Sequence, residues 1–97
     1  MKPADKIRKT IAENKKELQK TYRVKNIEIF GSYARNEQKK ESDIDLLVEF
    51  REDADLLDLT GLGLFLEEKL GENIDIIPKK ALRKEIRDNV LKEAIPI

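Results

Sequence analysis

The chain has 97 residues, 41% of them charged, a formal net charge of zero, and neither His nor Cys. That length sets a single domain, residues 1–97, with a modest core and no room for a separate substrate-binding domain. Without His or Cys, a His-based triad, a thiol nucleophile and a Cys/His zinc site are excluded, leaving carboxylates, hydroxyls, amines and oxygen-held hard metals.

Residues 3–21 read as one helix, because Ile7, Ile11, Leu18 and Tyr22 fall on one face and Pro3 suits a first turn. Asn26 to Phe30 alternates as a short strand and ends at Gly31, after which residues 32–36 suit one helical turn. Residues 38–42 are a polar loop. Asp43 to Phe50 is the strongest strand, with Ile44, Leu46, Val48 and Phe50 on one face and an apolar stretch that suits a central position.

Asp53 or Asp55 can cap a helix running from Leu56 to Leu70. Its expected stripe is Leu56, Leu59, Gly63, Leu66 and Leu70, widened by Leu57, Leu62, Leu64 and Phe65, and Gly71 is a suitable stop. Gly61 and Gly63 weaken the middle turn by about 1 kcal/mol each relative to Ala, and so point to close packing. Asn73 to Ile77 is a third strand. Residues 80–94 form a last helix, with Leu82, Ile86, Val90 and Ala94 in line and Pro96 beyond its end. The order predicts an α/β (α+β) domain: a three-stranded mixed sheet with helices mainly on one face. The crossover helix makes the second and third strands parallel.

The zero net charge hides a pattern. Residues 1–25 carry a balance of +6, residues 26–78 of −9, and residues 79–97 of +3. Solvated helix faces account for such a pattern, and so does an acidic metal site with basic flanks. No apolar run reaches membrane-spanning length, and neither a signal peptide nor a disulfide framework is visible, so a cytoplasmic protein is expected.

Three features carry chemistry. Asp43 and Asp45 lie two apart at the start of the central strand, so both carboxylates point to one face. Two such charges repel unless a cation lies between them, and magnesium takes oxygen ligands while keeping positions open for phosphate. Asp75 interrupts an apolar run on the neighbouring strand and can reach the same face. Gly31-Ser32 follows the first strand, where a glycine lets backbone N–H groups and a hydroxyl approach a phosphate. Each part alone has an ordinary explanation, as a turn, a strand-start charge or a strand-end charge. Together they suit metal-assisted phosphoryl or nucleotidyl transfer.

Gly31-Ser32-Tyr33-Ala34-Arg35, with ten residues lying between Ser32 and the following Asp43-Ile44-Asp45, resembles the signature of the minimal nucleotidyltransferases of the DNA polymerase beta superfamily. The resemblance continues through Asn73 to Ile77 and the Ala94-Ile95-Pro96 end. It implies that Asp43, Asp45 and Asp75 are catalytic and bind two Mg2+ ions, with Asp75 helping to activate the incoming hydroxyl. It implies that Gly31, Ser32 and Arg35 hold the phosphates of ATP. It also implies transfer of AMP to a tyrosine of a HEPN-type ribonuclease toxin, so that the chain acts as its antitoxin. Asn36 stands where many members have Gly, and since Asn tolerates left-handed backbone the turn is expected to survive.

Two other functions compete: a non-catalytic neutraliser that only binds the toxin, and nucleotidyl transfer to a small molecule or RNA. Direct nucleic-acid binding is not expected, because no aromatic platform accompanies Lys2, Lys6, Arg8 and Lys9. Glu52, Asp53, Asp55 and Asp58 lack the spacing of a calcium loop and read as helix capping. The apolar end, Ala94 to Ile97, can dock on the domain or on a partner.

Overall fold

The computed structural model describes residues 3–39 and 43–97; the expected end of the polar loop, residues 40–42, lies outside them. In chain order the elements are α1 (Pro3–Glu13), α2 (Lys15–Thr21), β1 (Val24–Phe30), β2 (Ile44–Phe50), α3 (Leu56–Leu70), β3 (Ile74–Pro78), a 3-10 turn (Lys79–Ala81), α4 (Lys84–Glu93) and β4 (Ile95–Pro96). No helix among the described residues is long and apolar enough to cross a membrane.

The first helical segment is two helices rather than one. Asn14 breaks it: its side-chain amide donates to the Thr10 carbonyl at 2.7 Å, competing with the helical ladder, and its ψ of 12° leaves the helical range. The apolar face survives the break, since Ile7, Ile11 and Leu18 are all buried. The last helix is shorter than expected. The chain makes a 3-10 turn after Pro78, runs extended through Leu82 and Arg83, and only then enters α4.

The sheet has four strands in the order β3-β2-β1-β4, not three. β1 and β2 are antiparallel, β2 and β3 parallel, and the added strand β4 pairs antiparallel with β1 through Ile29 and Ile95. The sequence hides β4 because a two-residue strand containing Pro carries no alternation to read. It places the apolar C-terminal end on the domain itself, where the Ile97 N–H also donates to the Ile27 carbonyl at 3.2 Å.

Strand β2 is central, and its alternation builds the core. Ile44, Leu46 and Val48 are at most 1% exposed and pack with Ile27 and Ile29 of β1 against Leu62, Leu66 and Leu70 of α3. Replacing Leu46 by Ala should therefore cost about 2–5 kcal/mol. The buried line of α3 runs at four-residue spacing through Asp58, Leu62, Leu66 and Leu70. The expected stripe began at Leu56, but Leu56, Leu57 and Leu64 are 73%, 80% and 63% exposed. The capping chemistry sets this rotation. Asp55 and Asp58 form a reciprocal capping box, and the Arg23 guanidinium donates to Asp58 at 2.9 Å and to Asp53 at 3.1 Å. Asp58 thus faces inward, and the apolar line follows it. The acidic group at residues 52–58 is a capping device, as its spacing suggests. The two interior glycines differ. A Cβ at Gly61 would lie 2.8 Å from the Tyr22 ring, so close packing holds that position, whereas a Cβ at Gly63 would make only an ordinary 3.6 Å contact with Ile76 and packing does not require glycine there.

Two outcomes test this clamp. Asp55→Ala should lower stability by about 1 kcal/mol, which for a domain of this size lowers Tm by about 4–8 °C in a thermal melt. The hydrogen bond from the Asp55 N–H, with help from Arg23, holds the Asp58 carboxyl below its ordinary value. A depressed carboxyl stabilises the fold above its ordinary pKa and loses that contribution as pH falls through the folded value. Acid titration of Asp58→Asn should therefore show a shallower loss of stability below about pH 4 than the wild type, whereas equal slopes would show that the clamp contributes nothing there.

Candidate active site

Alternation along β2 turns Asp43, Asp45 and Leu47 to the face opposite the helical core. The parallel register sets Asp45 beside Asp75, and the antiparallel one sets it beside Phe30, the last residue of β1. Asp45 therefore lies between two strands on the central position of the sheet, with Asp43 two residues back and Asp75 one strand away, about 4.8 Å in backbone spacing. Asp43 and Asp75 are exposed and Asp45 is half-buried. Burial, followed by the charges of Asp75 and Asp43, pushes the Asp45 carboxyl above its ordinary value. The structure brings the three sequence-predicted carboxylates to one face.

The turn after β1 closes against this group. Gly31 has φ +74°, and a Cβ there would run into the Asp45 carboxylate and lie 3.2 Å from its Cγ. Only glycine meets both conditions without strain. The turn is held by its own backbone: the Arg35 N–H donates to the Gly31 carbonyl at 3.1 Å and the Glu37 N–H to the Ser32 carbonyl at 2.8 Å. Asn36 takes φ +58°, the left-handed geometry expected of it. Ser32 is half-buried beside Gly31.

Arg35 is held on two sides. Its Nε donates to Glu37 at 3.1 Å and its Nη1 to Glu93, the last residue of α4, at 3.0 Å. Its charge also acts on Asp45, opposing the upward shift. Two residues at the site escaped the sequence. Tyr33 is buried in the core and anchors the turn; burial and then the charges of Glu72 and Asp43 raise its phenol above its ordinary value. An aromatic next to Gly-Ser was the available signal. Glu93 had none, since it lies 58 residues from Arg35 in sequence.

The donor set suits a hard cation. All three side chains offer oxygen only, and a cation between them would relieve the repulsion that adds to burial in raising Asp45. Among the described residues no group of three or more acids is already gathered tightly enough to hold an ion by itself. Phosphate oxygens of a bound nucleotide would complete such a shell, which is how magnesium is commonly held.

With this geometry, a nucleotidyl-transfer site on a small mixed sheet is the class of site that fits. The nucleotidyltransferase domain model matches residues 7–97, and the chain belongs to that family. The protein adenylyltransferase MntA of Thermococcus cleftensis is 38% identical over 91 residues, covering 94% of this chain and 92% of that protein. A Methanocaldococcus jannaschii protein described as a candidate protein adenylyltransferase is 50% identical over 74 residues, 76% of this chain and 80% of its own. A solved structure described as a candidate minimal nucleotidyltransferase superposes with TM-score 0.79 at 38% identity, covering 94% of this chain and 95% of that one. The same fold occurs in a toxin–antitoxin complex with AMP-PNP, at TM-score 0.70 and 21% identity, covering 87% of this chain and 69% of that one. It recurs in a complex of tri-AMPylated Shewanella oneidensis HEPN toxin with MNT antitoxin, at TM-score 0.63 and 17% identity, covering 99% and 71%.

Gly31→Ala tests the close approach of turn and carboxylate. The left-handed backbone costs a non-glycine residue about 1–2 kcal/mol, and the methyl displaces Asp45. The variant should remain folded by circular dichroism, with a melting temperature lowered by several degrees. Its affinity for a non-hydrolysable ATP analogue should drop about tenfold in a fluorescence titration; unchanged affinity would show that the turn does not face the nucleotide.

Proposed function

We propose that the chain is a magnesium-dependent protein adenylyltransferase that moves AMP from ATP to a tyrosine hydroxyl of a HEPN-type toxin and so acts as the antitoxin. The observation that carries this reading is the placement of Asp45 between Asp43 and Asp75 on one face of the sheet, with Gly31 packed directly against its carboxylate. Family membership and the adenylyltransferase names of relatives at 38–50% identity support it. So does the fold shared with toxin–antitoxin complexes. A cytoplasmic setting, where ATP and Mg2+ are supplied, goes with this reading.

In this reading Gly31, Ser32 and the turn N–H groups receive the β- and γ-phosphates, and Arg35 adds its charge to them. Asp43 and Asp45 would hold two Mg2+ ions, with Asp75 sharing the one nearest the acceptor. Bound metal supplies charge neutralisation on the α-phosphate and on the departing pyrophosphate. Asp75, on the outermost strand, stands where an acceptor hydroxyl can come in and takes up its proton. The acceptor oxygen bonds to the α-phosphorus, the bond from that phosphorus to the bridging oxygen of the β-phosphate breaks, and pyrophosphate departs.

The test pairs chemistry with biology. With labelled ATP, Mg2+ and a HEPN-type toxin, Asp43→Asn and Asp45→Asn should each reduce transfer to the toxin by about a hundredfold or more. Suppression of toxicity in cells should disappear with it. If suppression persists undiminished in both variants, the chain neutralises by binding alone and the catalytic reading is wrong.

A further inference from the structure

The outer side of the sheet carries an apolar surface that the site does not use. β3 is an edge strand, and α3, which returns antiparallel to it, leaves Leu56 and Leu64 exposed alongside. Two depressions follow this seam. One of about 310 Å³ is lined by Phe50, Leu56, Leu59 and Pro78. The other, of about 270 Å³, is lined by Leu59, Leu64, Ile74 and Ile76. Leu59 belongs to both, so they form one trough along the length of β3.

The register decides what the free edge offers. The Ile44 N–H donates to the Asn73 carbonyl, and Ile44 pairs with Ile74, so residues 73, 75 and 77 turn their backbone groups towards β2. The groups of Ile74 and Ile76 therefore point outward. Glu67 accepts from the Ile74 N–H at 3.3 Å, and Pro78 has no N–H to give. Edge strands are commonly blocked by such devices, and here both lie at the ends, so that among the described residues the Ile76 backbone is left open between them. Side chains alternate as well: Ile74 and Ile76 face the trough, and Asp75 faces the site.

We propose that the free edge of β3 and the trough beside it dock the acceptor-bearing segment of the protein substrate, which adds to the sheet as an extended strand. An added strand alternates like β3. It would set a hydroxyl-bearing side chain on the site face next to Asp75 and drop its two flanking residues, which must be apolar, over Leu64 and Leu59 on the other face. Main-chain hydrogen bonds to Ile76 supply affinity, and the trough supplies specificity for the flanks. The occupant follows from continuity: the trough and the proposed proton acceptor belong to the same five-residue strand, on its two faces. This inference rests on the adenylyltransferase reading for its substrate, but its binding step can be measured without transfer.

The experiment uses the full chain and a HEPN-type toxin from the same genome. Leu64→Glu and Leu56→Glu alter side chains 63% and 73% exposed, so melting temperature and ATP-analogue affinity should match the wild type. Both variants should bind the toxin at least tenfold more weakly by calorimetry, and in the wild-type complex the Ile76 amide should gain protection from hydrogen exchange. Undiminished binding by both variants, or an Ile76 amide that exchanges equally fast in the complex, overturns the proposal. So does a wild-type dimer that Leu64→Glu makes monomeric while toxin binding stays intact, since a second copy would then cover the trough. If the wild type binds the toxin through this edge but transfers no AMP to it, the edge is a toxin-docking surface, and the adenylyltransferase reading fails together with the docked segment's role as acceptor.

Discussion

One strand has to serve two opposite demands. The face of β2 formed by Ile44, Leu46 and Val48 is sealed under helices and supplies the centre of the core. The other face holds Asp43 and Asp45, whose charges repel each other and Asp75. Alternation with a period of two makes this possible, because it sends every second side chain to the opposite side. The core pins the register, and the register fixes where the carboxylates stand. A slip of one residue would turn the two aspartates into the core and carry Ile44, Leu46 and Val48 to the other face, so stability and site geometry are set by the same constraint.

The ends of the chain complete that arrangement. β4 pairs with β1, and the residue just before its lead-in, Glu93, grips Arg35 in the glycine turn. The C-terminal segment is thereby fastened beside the Gly31 turn. The net charge of zero resolves into an acidic middle that carries the site and basic flanks that surround it. Some of those cations are spent locally. Lys79 pairs with Glu28 at 3.3 Å, and Arg23 clamps the start of α3. The pattern is therefore both structural and electrostatic.

Much of the site was legible because its signals are local or periodic. Asp43 and Asp45 share a face by spacing alone, and Asp75 stood out as a charge inside an apolar run. The cap at Asp55, the stop at Gly71 and the left-handed Asn36 follow from single-residue backbone chemistry. What the sequence hid was tertiary. The fourth strand is too short to alternate. The break at Asn14 turns on one side-chain hydrogen bond. The rotation of α3 depends on Arg23 reaching Asp58 across 35 residues, and so the exposure of Leu56 and Leu64 could not be read from periodicity. Tyr33 looked like a motif neighbour, whereas the fold makes it the anchor of the turn. The resemblance to minimal nucleotidyltransferases supplied expected roles for these residues, and the sheet register brings the three carboxylates to one face.

The most direct test of the central claim is where a divalent ion settles. Paramagnetic Mn2+ added to the full chain with a non-hydrolysable ATP analogue broadens amide signals near its site in a nuclear magnetic resonance spectrum. The carboxylate arrangement on the sheet predicts selective broadening around Asp43, Asp45 and Asp75 and along the turn from Gly31 to Arg35. Broadening centred instead on Glu52, Asp53, Asp55 and Asp58, with the β2 and β3 carboxylates unaffected, would contradict it.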